Sequence, residues 1–371
     1  MSAARPVLVM AGGTGGHVFP ALAVAARLRA RGASVVWMGT RNGLEATLVP
    51  QAGIPLEWIE VTGLRGKGLG QKARMPFMLG RALLQAGAIL RRLRPRVVLG
   101  MGGFASGPGG AMARWLRIPL VVHEQNAIAG LTNRGLSRLA NRVLEGFPGT
   151  FAPARRAQAV GNPVRAEIAA LPPPAERLAG RMGRRRLLVL GGSQGALALN
   201  QRVPQALTLL EPDERPEVWH QAGGRLHEAA VASYRDAGVT ARLMPFIADM
   251  AEAYGWADLV LCRAGALTIA ELAAAGVGAV LVPFPFAVDD HQTANARYLE
   301  RGEGALMFQQ SELVPERLAE ILRQLLGDRA RLLRMAEAAR RLARIEAADR
   351  VATACLEAAE EAKGQGLRAK G

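Results

Sequence analysis

The sequence predicts an α/β protein of two doubly wound domains, each built around a parallel β-sheet. Short apolar runs alternate with stretches of helical spacing along the chain, which is the pattern of a parallel sheet covered by helices. The same order of elements opens twice: the run Val7–Met10 precedes the glycine-rich loop Ala11–His17, and Leu187–Leu190 precedes Gly191–Gly195. The length of 371 residues also exceeds one ordinary domain of roughly 100–200 residues. We therefore predict two similar, Rossmann-like domains.

The boundary between the domains is predicted near residue 162. Gly161-Asn162-Pro163 is turn-like, and the prolines that follow Leu171 do not fit a helix interior. We assign residues 1–162 to an N-terminal domain, 163–340 to a C-terminal domain and 341–371 to a final helical segment.

Cysteine usage and hydropathy exclude several protein classes. Cys262 and Cys355 are the two cysteines, they match no metal-ligand spacing, and a disulfide framework is not expected. The N-terminus lacks the apolar region of a signal peptide, and no run reaches the roughly 18–20 apolar residues of a spanning helix. We therefore expect a soluble chain from a reducing compartment that is still able to associate with a membrane surface.

Charge is distributed unequally along the chain. The net charge is +16, and residues 1–162 contain all of this excess, with 21 Lys or Arg, five Glu and no Asp. A genome that favours arginine explains the scarcity of lysine, but it does not explain a one-sided excess. The imbalance indicates an anionic partner of the N-terminal domain: a membrane surface, a nucleic acid or a polyanionic substrate.

Both glycine-rich loops join a strand to a helix, where backbone N–H groups and the helix N-terminus can bind phosphate. One such loop is a weak indication, because glycine also permits tight packing, and two in matching positions are a stronger one. The end of the second strand, Trp37–Thr40, carries no carboxylate, which disfavours a dehydrogenase. Neither loop ends in Gly-Lys-Ser/Thr, which disfavours a P-loop ATPase.

Six motifs, in order and at matching spacing, resemble the MurG family of bacterial glycosyltransferases. Each motif is only moderately specific, but six in register over roughly residues 7–300 are highly specific. The motifs are Gly12–Pro20, His123–Asn126, Val160–Arg165, Gly191–Ala196, Cys262–Thr268 with Glu271, and Asp289–Asn295.

The resemblance implies a GT-B fold, in which two Rossmann-like domains face a central cleft. It implies inverting transfer of N-acetylglucosamine from UDP-N-acetylglucosamine to the C4 hydroxyl of undecaprenyl-diphospho-muramoyl-pentapeptide, in peptidoglycan synthesis at the cytoplasmic face of the inner membrane. It also implies that the last helix, near residues 340–360, returns to the first domain. Two alternatives stay open: another GT-B enzyme that uses a UDP-sugar, such as an epimerase, and a non-catalytic membrane-associated scaffold.

The resemblance also assigns residues to the donor. Glu271 is expected to accept both ribose hydroxyls, although a first-turn glutamate is also typical of a plain helix N-terminus. Arg165 is expected beside the nucleotide, because a guanidinium matches phosphate geometry. Ser193 either donates to the diphosphate or only caps its helix, and the backbone of Ile247 is expected to meet the uracil.

Two amides complete the donor prediction. Asn126 and Gln292 are expected to bind sugar hydroxyls, because amides both donate and accept, whereas an isolated loop Asn is more often part of a turn. The predicted donor ligands are Thr14, Gly15, Gly16, Asn126, Arg165, Ser193, Ile247, Ala266, Leu267, Thr268, Glu271 and Gln292.

Transfer needs a base that takes the proton of the acceptor hydroxyl as it attacks the anomeric carbon. His17, at the end of the first loop, is the candidate, because imidazole titrates near neutral pH. Its alternative role is to hold the loop by hydrogen bonding or to contact acceptor phosphate. Glu124 is the rival base.

A metal site has little support in the sequence. Asp289, Asp290 and His291 are adjacent, but no partner ligands occur at suitable spacing, and enzymes of this fold class stabilise leaving UDP with amides and helix dipoles. We expect no required cofactor, and at most weak activation by a divalent cation through the diphosphate.

A basic and apolar stretch follows the glycine-rich segment 63–70, for which the sequence predicts a loop. Apolar residues ringed by cations suit docking on anionic lipid, worth about 1 kcal/mol per basic residue near the surface. The alternative is an amphipathic helix that only covers the sheet. Nucleic acid is disfavoured, because aromatic residues are scarce and no recognition motif occurs. The predicted docking residues are Lys72, Arg74, Met75, Phe77, Met78, Leu79, Arg81 and Trp115.

Overall fold

The structure is a computed structural model that describes residues 5–61, 69–192 and 195–368, without the side chains of 69–74, 288 and 365–368. The strands in this part of the chain are β1 Val7–Met10, β2 Val35–Gly39, β3 Leu56–Trp58, β4 Val97–Gly100, β5 Leu120–Glu124, β6 Arg142–Glu145, β7 Gln158–Ala159, β8 Arg186–Leu190, β9 Glu217–Gln221, β10 Arg242–Met244, β11 Leu259–Cys262, β12 Ala279–Leu281 and β13 Ala305–Met307.

The helices cover both faces of the sheets and follow the strands in alternation. They are α1 Gly15–Ala30, α2 Glu45–Gln51, α3 Leu69–Leu93, α4 Ser106–Trp115, α5 Leu131–Leu136, α6 Ala166–Ala169, α7 Pro174–Leu178, α8 Leu197–Thr208, α9 His227–Asp236, α10 Met250–Trp256, α11 Ala266–Ala275, α12 His291–Arg301, α13 Pro315–Leu326, α14 Arg329–Arg341 and α15 Ala347–Arg368.

Two separate parallel sheets confirm the predicted fold class. The first has the order β3-β2-β1-β4-β5-β6-β7, and the second has the order β10-β9-β8-β11-β12-β13. Val7 lies opposite Val35 on one side and Val97 on the other, and Leu187 in the second sheet lies between Val218 and Leu259. The strand order reverses at β1/β4 and at β8/β11. These switch points are where open α/β sheets bind ligands.

The apolar strands are buried because helices cover both faces of each sheet. Alternate side chains of β1 point to opposite faces. Val7 and Val9 pack in one core cluster that includes Leu28 of α1 and Cys355 of α15. Leu8 and Met10 belong to a second cluster with Leu90 and other residues of α3 and α4.

The chain divides into two compact units. The first unit contains the residues up to Val164 and the segment from Glu346 onward, and the second runs from Arg165 to Ile345. Helix α15 packs on α1 and on strands of the first sheet, and Asp349 of α15 pairs with Arg31 at 2.9 Å. The C-terminal segment adds four basic and five acidic residues to the first unit, which therefore carries a net charge of +15.

Candidate functional site

Three loops meet at the carboxyl edge of the first sheet, after the adjacent strands β1, β4 and β5. The loops after β1 and β4 pack backbone against backbone, because a Cβ atom on Gly103 would collide with the carbonyl oxygen of Gly12. Gly102 has a φ of +91°, and a Cβ atom there would lie 2.7 Å from the ring of His17. Glycine is therefore required at both positions, and it lets the imidazole lie directly on the loop after β4.

A buried carboxylate fills the first glycine-rich loop. Glu45, which has no exposed surface, accepts hydrogen bonds from the backbone N–H groups of Gly13 and Thr40, both at 2.9 Å. It also accepts one from the Thr40 hydroxyl at 2.8 Å. A side chain on Gly12 would collide with this carboxylate. The N–H group of Gly13 therefore already binds an anion that belongs to the protein.

His17 lies in the first turn of α1, after Thr14 and the two glycines Gly15 and Gly16. Thr14 precedes the helix without a side-chain capping bond. The Nδ1 atom of His17 is 2.8 Å from Oε1 of Gln125, a residue of the loop after β5. The structure thus brings the first-loop histidine together with the His123–Asn126 motif.

His123 links Gln125 to the buried backbone of Gly161 by hydrogen bonds. Its Nδ1 atom is 3.0 Å from Nε2 of Gln125, and its Nε2 atom is 2.9 Å from the carbonyl oxygen of Gly161. Complete burial lowers the pKa of His123 to about 4, although the Gly161 bond and Glu124 oppose that shift. The ring is therefore neutral at neutral pH.

Glu124 organises the loop after β5. Its Oε1 atom accepts from the backbone N–H of Asn126 at 2.9 Å and from the Asn126 amide at 3.1 Å. Its Oε2 atom accepts from the N–H of Gly130 at 3.1 Å and from Asn133 at 3.0 Å. Glu124 as rival base stays a prediction, but in this geometry both oxygens hold the loop.

The second unit contains a buried carboxylate, Glu271, that is held by two neighbouring side chains. Glu271, in α11, is 4% exposed. Arg165 donates to its Oε1 atom through Nε at 3.1 Å and Nη2 at 2.8 Å, and the Tyr254 hydroxyl is 3.3 Å from Oε2. Burial raises the pKa of Glu271, and Arg165 opposes that rise. The carboxylate is fixed in orientation, and its oxygens are acceptors suited to hydroxyl donors.

The second glycine-rich loop differs from the first in its surroundings. Gly192 has a φ of +79°, and a Cβ atom added there would have no atom of the described residues within 4 Å, whereas a Cβ atom on Gly195 would collide with the carbonyl oxygen of Ala222. Helices α8 and α11 begin after Ala196 and Gly265, neither of which supplies a side-chain cap. Ser193 lies outside the described residues. The loop thus leaves space beside Gly192 and uncapped helix N-termini next to it.

The other predicted donor ligands lie on neighbouring loops of this edge. The backbone N–H of Ile247 donates to Gln221 at 2.9 Å, which leaves the Ile247 carbonyl oxygen as the polar backbone group for a ligand. Gln292 accepts through its Oε1 atom from the N–H of Phe284 at 2.9 Å. Ala266, Leu267 and Thr268 form the first turn of α11, one turn before Glu271.

The acidic cluster of the second unit shows no metal arrangement. Asp289 and Asp290 both have positive φ values, and Asp290 accepts from the Thr293 hydroxyl at 2.7 Å. Within the described ranges, no group of three or more His, Cys, Asp or Glu residues is placed to hold a metal ion.

Helix α3 has one buried and one exposed apolar stripe. Ala82, Ala86 and Leu90 are buried in the first core, whereas Phe77 is 81% and Leu84 is 74% exposed. The amphipathic helix that covers the sheet and the apolar outer surface therefore coexist on one element.

The other predicted docking residues are distributed around this exposed stripe. Leu79 is exposed, Met75 and Met78 are partly buried, and Arg81 pairs with Glu60 at 2.9 Å. Trp115, 66% exposed, lies under the guanidinium of Arg91. The side chains of Lys72 and Arg74 lie outside the described residues. In the part of the chain that the structure covers, no helix combines the length and apolar character needed to cross a bilayer.

Three residues of these sites are not predicted from the sequence: Glu45, Gln125 and Tyr254. Gln125 stands within the His123–Asn126 motif, which offers a signal, but the motif alone assigns it no role. Glu45 and Tyr254 have no signal, because Gly13 lies 32 residues from Glu45 and Glu271 lies 17 residues from Tyr254, so both contacts depend on the fold.

Both halves of the chain match models of one enzyme family. Residues 7–145 match the glycosyltransferase family 28 N-terminal domain, and residues 186–351 match the glycosyltransferase family 28 C-terminal domain. A protein from Nitrosococcus oceani is 62% identical over 95% of this chain and 98% of its own length. It is named UDP-N-acetylglucosamine–N-acetylmuramyl-(pentapeptide) pyrophosphoryl-undecaprenol N-acetylglucosamine transferase. A protein of the same name from Marinobacter nauticus is 56% identical over 96% of this chain and 98% of its own length.

Solved structures agree with these matches. The crystal structure of MurG from Acinetobacter baumannii is 42% identical, covers 95% of this chain and 99% of its own, and superposes with a TM-score of 0.80. A UDP-GlcNAc 2-epimerase from Neisseria meningitidis, with a TM-score of 0.66 at 12% identity over 95% of this chain and 99% of its own, shares the fold alone. Together with the two parallel sheets, these matches confirm the predicted GT-B fold. The chain belongs to the MurG family, within glycosyltransferase family 28.

Proposed function

We infer that this chain transfers N-acetylglucosamine from UDP-N-acetylglucosamine to undecaprenyl-diphospho-muramoyl-pentapeptide, the lipid I to lipid II step of peptidoglycan synthesis. The observation that carries this inference is the 62% identity, over nearly the full length, to a relative named for that reaction. The hydroxyl that attacks is the C4 hydroxyl of the muramoyl sugar, and the anomeric configuration inverts.

The second unit binds the donor nucleotide in this proposal. Glu271 accepts the two ribose hydroxyls, and its buried contacts with Arg165 and Tyr254 hold the carboxylate in one orientation. The carbonyl oxygen of Ile247 accepts from the uracil. Buried acceptors that are fixed before the ligand arrives favour binding, because little ordering remains to be done.

The leaving diphosphate is stabilised by backbone groups. The space beside Gly192 lets phosphate oxygens approach the loop, and the uncapped N-termini of α8 and α11 offer N–H donors and a partial positive charge. Ser193, Ala266, Leu267 and Thr268 are proposed ligands at these helix starts. Because such donors act without a metal ion, we propose that an added divalent cation activates only weakly.

His17 is the proposed base. Its Nε2 atom takes the proton of the C4 hydroxyl while that oxygen forms a bond to the anomeric carbon of the donor. The bond between this carbon and the diphosphate oxygen breaks, and UDP leaves with the electron pair. Thr14, Gly15, Gly16, Asn126 and Gln292 stay predicted ligands of UDP-N-acetylglucosamine, with Asn126 and Gln292 at its sugar hydroxyls.

The first unit docks on the cytoplasmic membrane surface in this proposal. A net charge of +15 attracts anionic lipid, and the exposed side chains Phe77, Leu84 and Trp115 are available for insertion into the interface. Flotation with vesicles of phosphatidylcholine alone or with phosphatidylglycerol tests the idea. We expect binding to the anionic vesicles and its loss in a Phe77→Ser/Leu84→Ser variant, with Met182→Ser in the second unit as the exposed apolar control. No binding to anionic vesicles at low salt contradicts docking.

The transfer reaction is tested with labelled UDP-N-acetylglucosamine and a short-chain analogue of the lipid-linked acceptor. We expect a labelled disaccharide-pentapeptide lipid and released UDP in equal amounts. UDP release without a labelled lipid, or binding without turnover, contradicts the proposal and favours a scaffold. Calorimetric titration with UDP-N-acetylglucosamine and UDP-glucose separates the proposed donor from other UDP-sugars.

A further inference from the structure

Four polar groups form a continuous hydrogen-bonded chain from the core of the first unit to His17. In order they are the carbonyl group of Gly161, the ring of His123, the amide of Gln125 and the ring of His17, with donor–acceptor distances of 2.9, 3.0 and 2.8 Å. His123 is fully buried and Gln125 is 1% exposed. This hydrogen-bond network therefore lies in a region where each donor must meet an acceptor.

The donor and acceptor of every hydrogen bond in this network follow from the carbonyl oxygen of Gly161 at its buried end. A carbonyl oxygen only accepts, so the Nε2 atom of His123 must carry a hydrogen. Because burial lowers the pKa of His123 to about 4, the ring is neutral and its Nδ1 atom holds a lone pair. The amide nitrogen of Gln125 must donate to that lone pair, since the opposite amide orientation would place two acceptors against each other.

The orientation of the Gln125 amide then decides which ring nitrogen of His17 is the donor. With its nitrogen turned to His123 and to the His123 carbonyl oxygen at 3.2 Å, its oxygen faces the Nδ1 atom of His17. That oxygen only accepts, so Nδ1 of His17 must be the protonated ring nitrogen. The His17 side chain makes no other hydrogen bond within the described residues.

We propose that Gln125, itself oriented by His123 and Gly161, is a positioning residue that holds His17 as the Nδ1–H tautomer and leaves the Nε2 lone pair to accept a proton. The backbone of Gly102 lies against the ring, so the ring plane is restrained as well as its tautomer. The catalytic use of this lone pair rests on the proposed function, whereas the tautomer itself does not.

A neutral amide has a specific consequence in this position. A carboxylate next to Nδ1 would favour the charged imidazolium and would fill the Nε2 site with a proton before the acceptor arrives. An amide oxygen orients the ring with less preference for the charged form. The residue type therefore suits a group that must be neutral when the substrate binds.

Two-bond ¹H–¹⁵N spectra of the full chain, labelled with ¹⁵N-histidine, test the tautomers without turnover. The resonances of the five histidines are assigned from single His→Gln variants. At a pH where the ring is neutral, we expect His17 as the Nδ1–H form and His123 as the Nε2–H form. His17 in the Nε2–H form would overturn the proposal, whatever the enzyme assay shows.

Two substitutions separate positioning from folding. Gln125→Met has similar length and no hydrogen-bonding group, so His17 should lose its Nδ1–H preference, and kcat should fall by about 10- to 100-fold with the donor KM within about twofold. Gln125→Glu keeps an acceptor for Nδ1 of His17, so the His17 tautomer should persist, although the variant loses the donor to Nδ1 of His123. An unchanged tautomer in Gln125→Met overturns the proposal, and if that variant does not fold, the wild-type and Gln125→Glu spectra decide.

The same data distinguish failure of the proposed positioning role of Gln125 from failure of the proposed function. If the wild-type protein shows the expected tautomers but transfers no sugar, the positioning role of Gln125 is supported and the assigned reaction is wrong. If sugar transfer occurs and His17 is the other tautomer, the reaction stands and the positioning role of Gln125 is wrong.

Discussion

The loop after β1 and the loop after β8 occupy the same place in two similar sheets, but different groups surround them. In the first loop the buried carboxylate of Glu45 accepts the N–H group of Gly13 and excludes any side chain at Gly12. Among the described residues, the space beside Gly192 in the second loop is open, as it also is beside Gly13, but no side chain accepts a hydrogen bond from the N–H group of Gly192. We therefore expect the donor diphosphate at the second loop, because no described side chain takes up the N–H group of Gly192. A loop that is filled by a carboxylate instead becomes a rigid support for its neighbour, here His17.

Replacing His17, the residue that the first loop supports, should give the largest effect. We expect His17→Ala to lower kcat by roughly 10²- to 10⁴-fold, because the hydroxyl loses its proton acceptor. The affinity for UDP should stay within about twofold, because we propose that the donor nucleotide binds through the second unit. Labelled-sugar transfer and calorimetry measure the two quantities, with His227→Ala as a control histidine. Turnover near the wild-type rate removes His17 from the chemistry.

Replacing Glu271 addresses the donor side. Glu271→Gln keeps the shape but removes the charge, so UDP should bind about 10- to 100-fold more weakly, as expected for lost hydrogen bonds to a charged acceptor. Tyr254→Phe removes one orienting bond and should have a smaller effect. Calorimetric titration with UDP measures both. An unchanged affinity in Glu271→Gln shows that the ribose is bound elsewhere.

Removing the carboxylate of Glu45 tests the first loop through stability. Glu45→Ala leaves the partly buried N–H groups of Gly13 and Thr40 without their acceptor. A fully buried group of this kind costs about 1–3 kcal/mol of the free energy of unfolding, which sets the upper limit for each. Glu45→Gln keeps one amide oxygen and should lose less. Urea unfolding measures the difference. Equal stability of wild type and Glu45→Ala means that water or another group replaces the carboxylate.

The two units also differ in how each uses a buried histidine. His123 belongs to the chain that ends at His17, whereas the Nδ1 atom of His220 lies 2.9 Å from the buried hydroxyl of Tyr234. Burial lowers the pKa of His123 to about 4 and of His220 to about 3. Because the unfolded chain binds protons below about 6.5 and the folded chain does not, stability is full above that pH.

This difference predicts the response to acid. As the pH falls from about 6.5 toward 4, each of the two histidines should remove about 1.4 kcal/mol of the free energy of unfolding per pH unit. His220→Gln should remove the contribution of His220 to this pH dependence of the free energy of unfolding. It should leave kcat at neutral pH unchanged. Urea unfolding at about pH 7.5 and 5.5 measures the slope. The same slope in variant and wild type contradicts burial of a neutral His220.

The architecture follows from local patterns, and much of the site does not. The apolar runs at β1 and β8 and the glycines after them are sufficient to predict two parallel-sheet domains, because strand periodicity and strand-to-helix loops are local properties. The motif residues His17, Glu271 and Arg165 are predicted by resemblance. The structure adds that Arg165 binds Glu271 directly, which no spacing shows.

The contacts that distinguish the two loops depend on long-range packing. Glu45 reaches Gly13 across 32 positions, and Gln125 reaches His17 across 108. Such pairs exist only after β1, β4 and β5 lie side by side, so no pattern along the chain indicates them. The exposed stripe of α3 is an intermediate case: its apolar excess is visible in the sequence, but the division into a buried and an exposed face requires the fold.

UDP titration of Glu45→Ala and Gly192→Ala is the decisive measurement for the difference between the loops. We predict that Glu45→Ala binds UDP within about twofold of wild type. Gly192→Ala adds a methyl group to the open space and strains a backbone with a φ of +79°, so it should bind about tenfold more weakly. Both variants are compared at a temperature where each is folded. Tighter UDP binding in Glu45→Ala together with unchanged binding in Gly192→Ala would place the diphosphate in the first loop and contradict its assignment to the second.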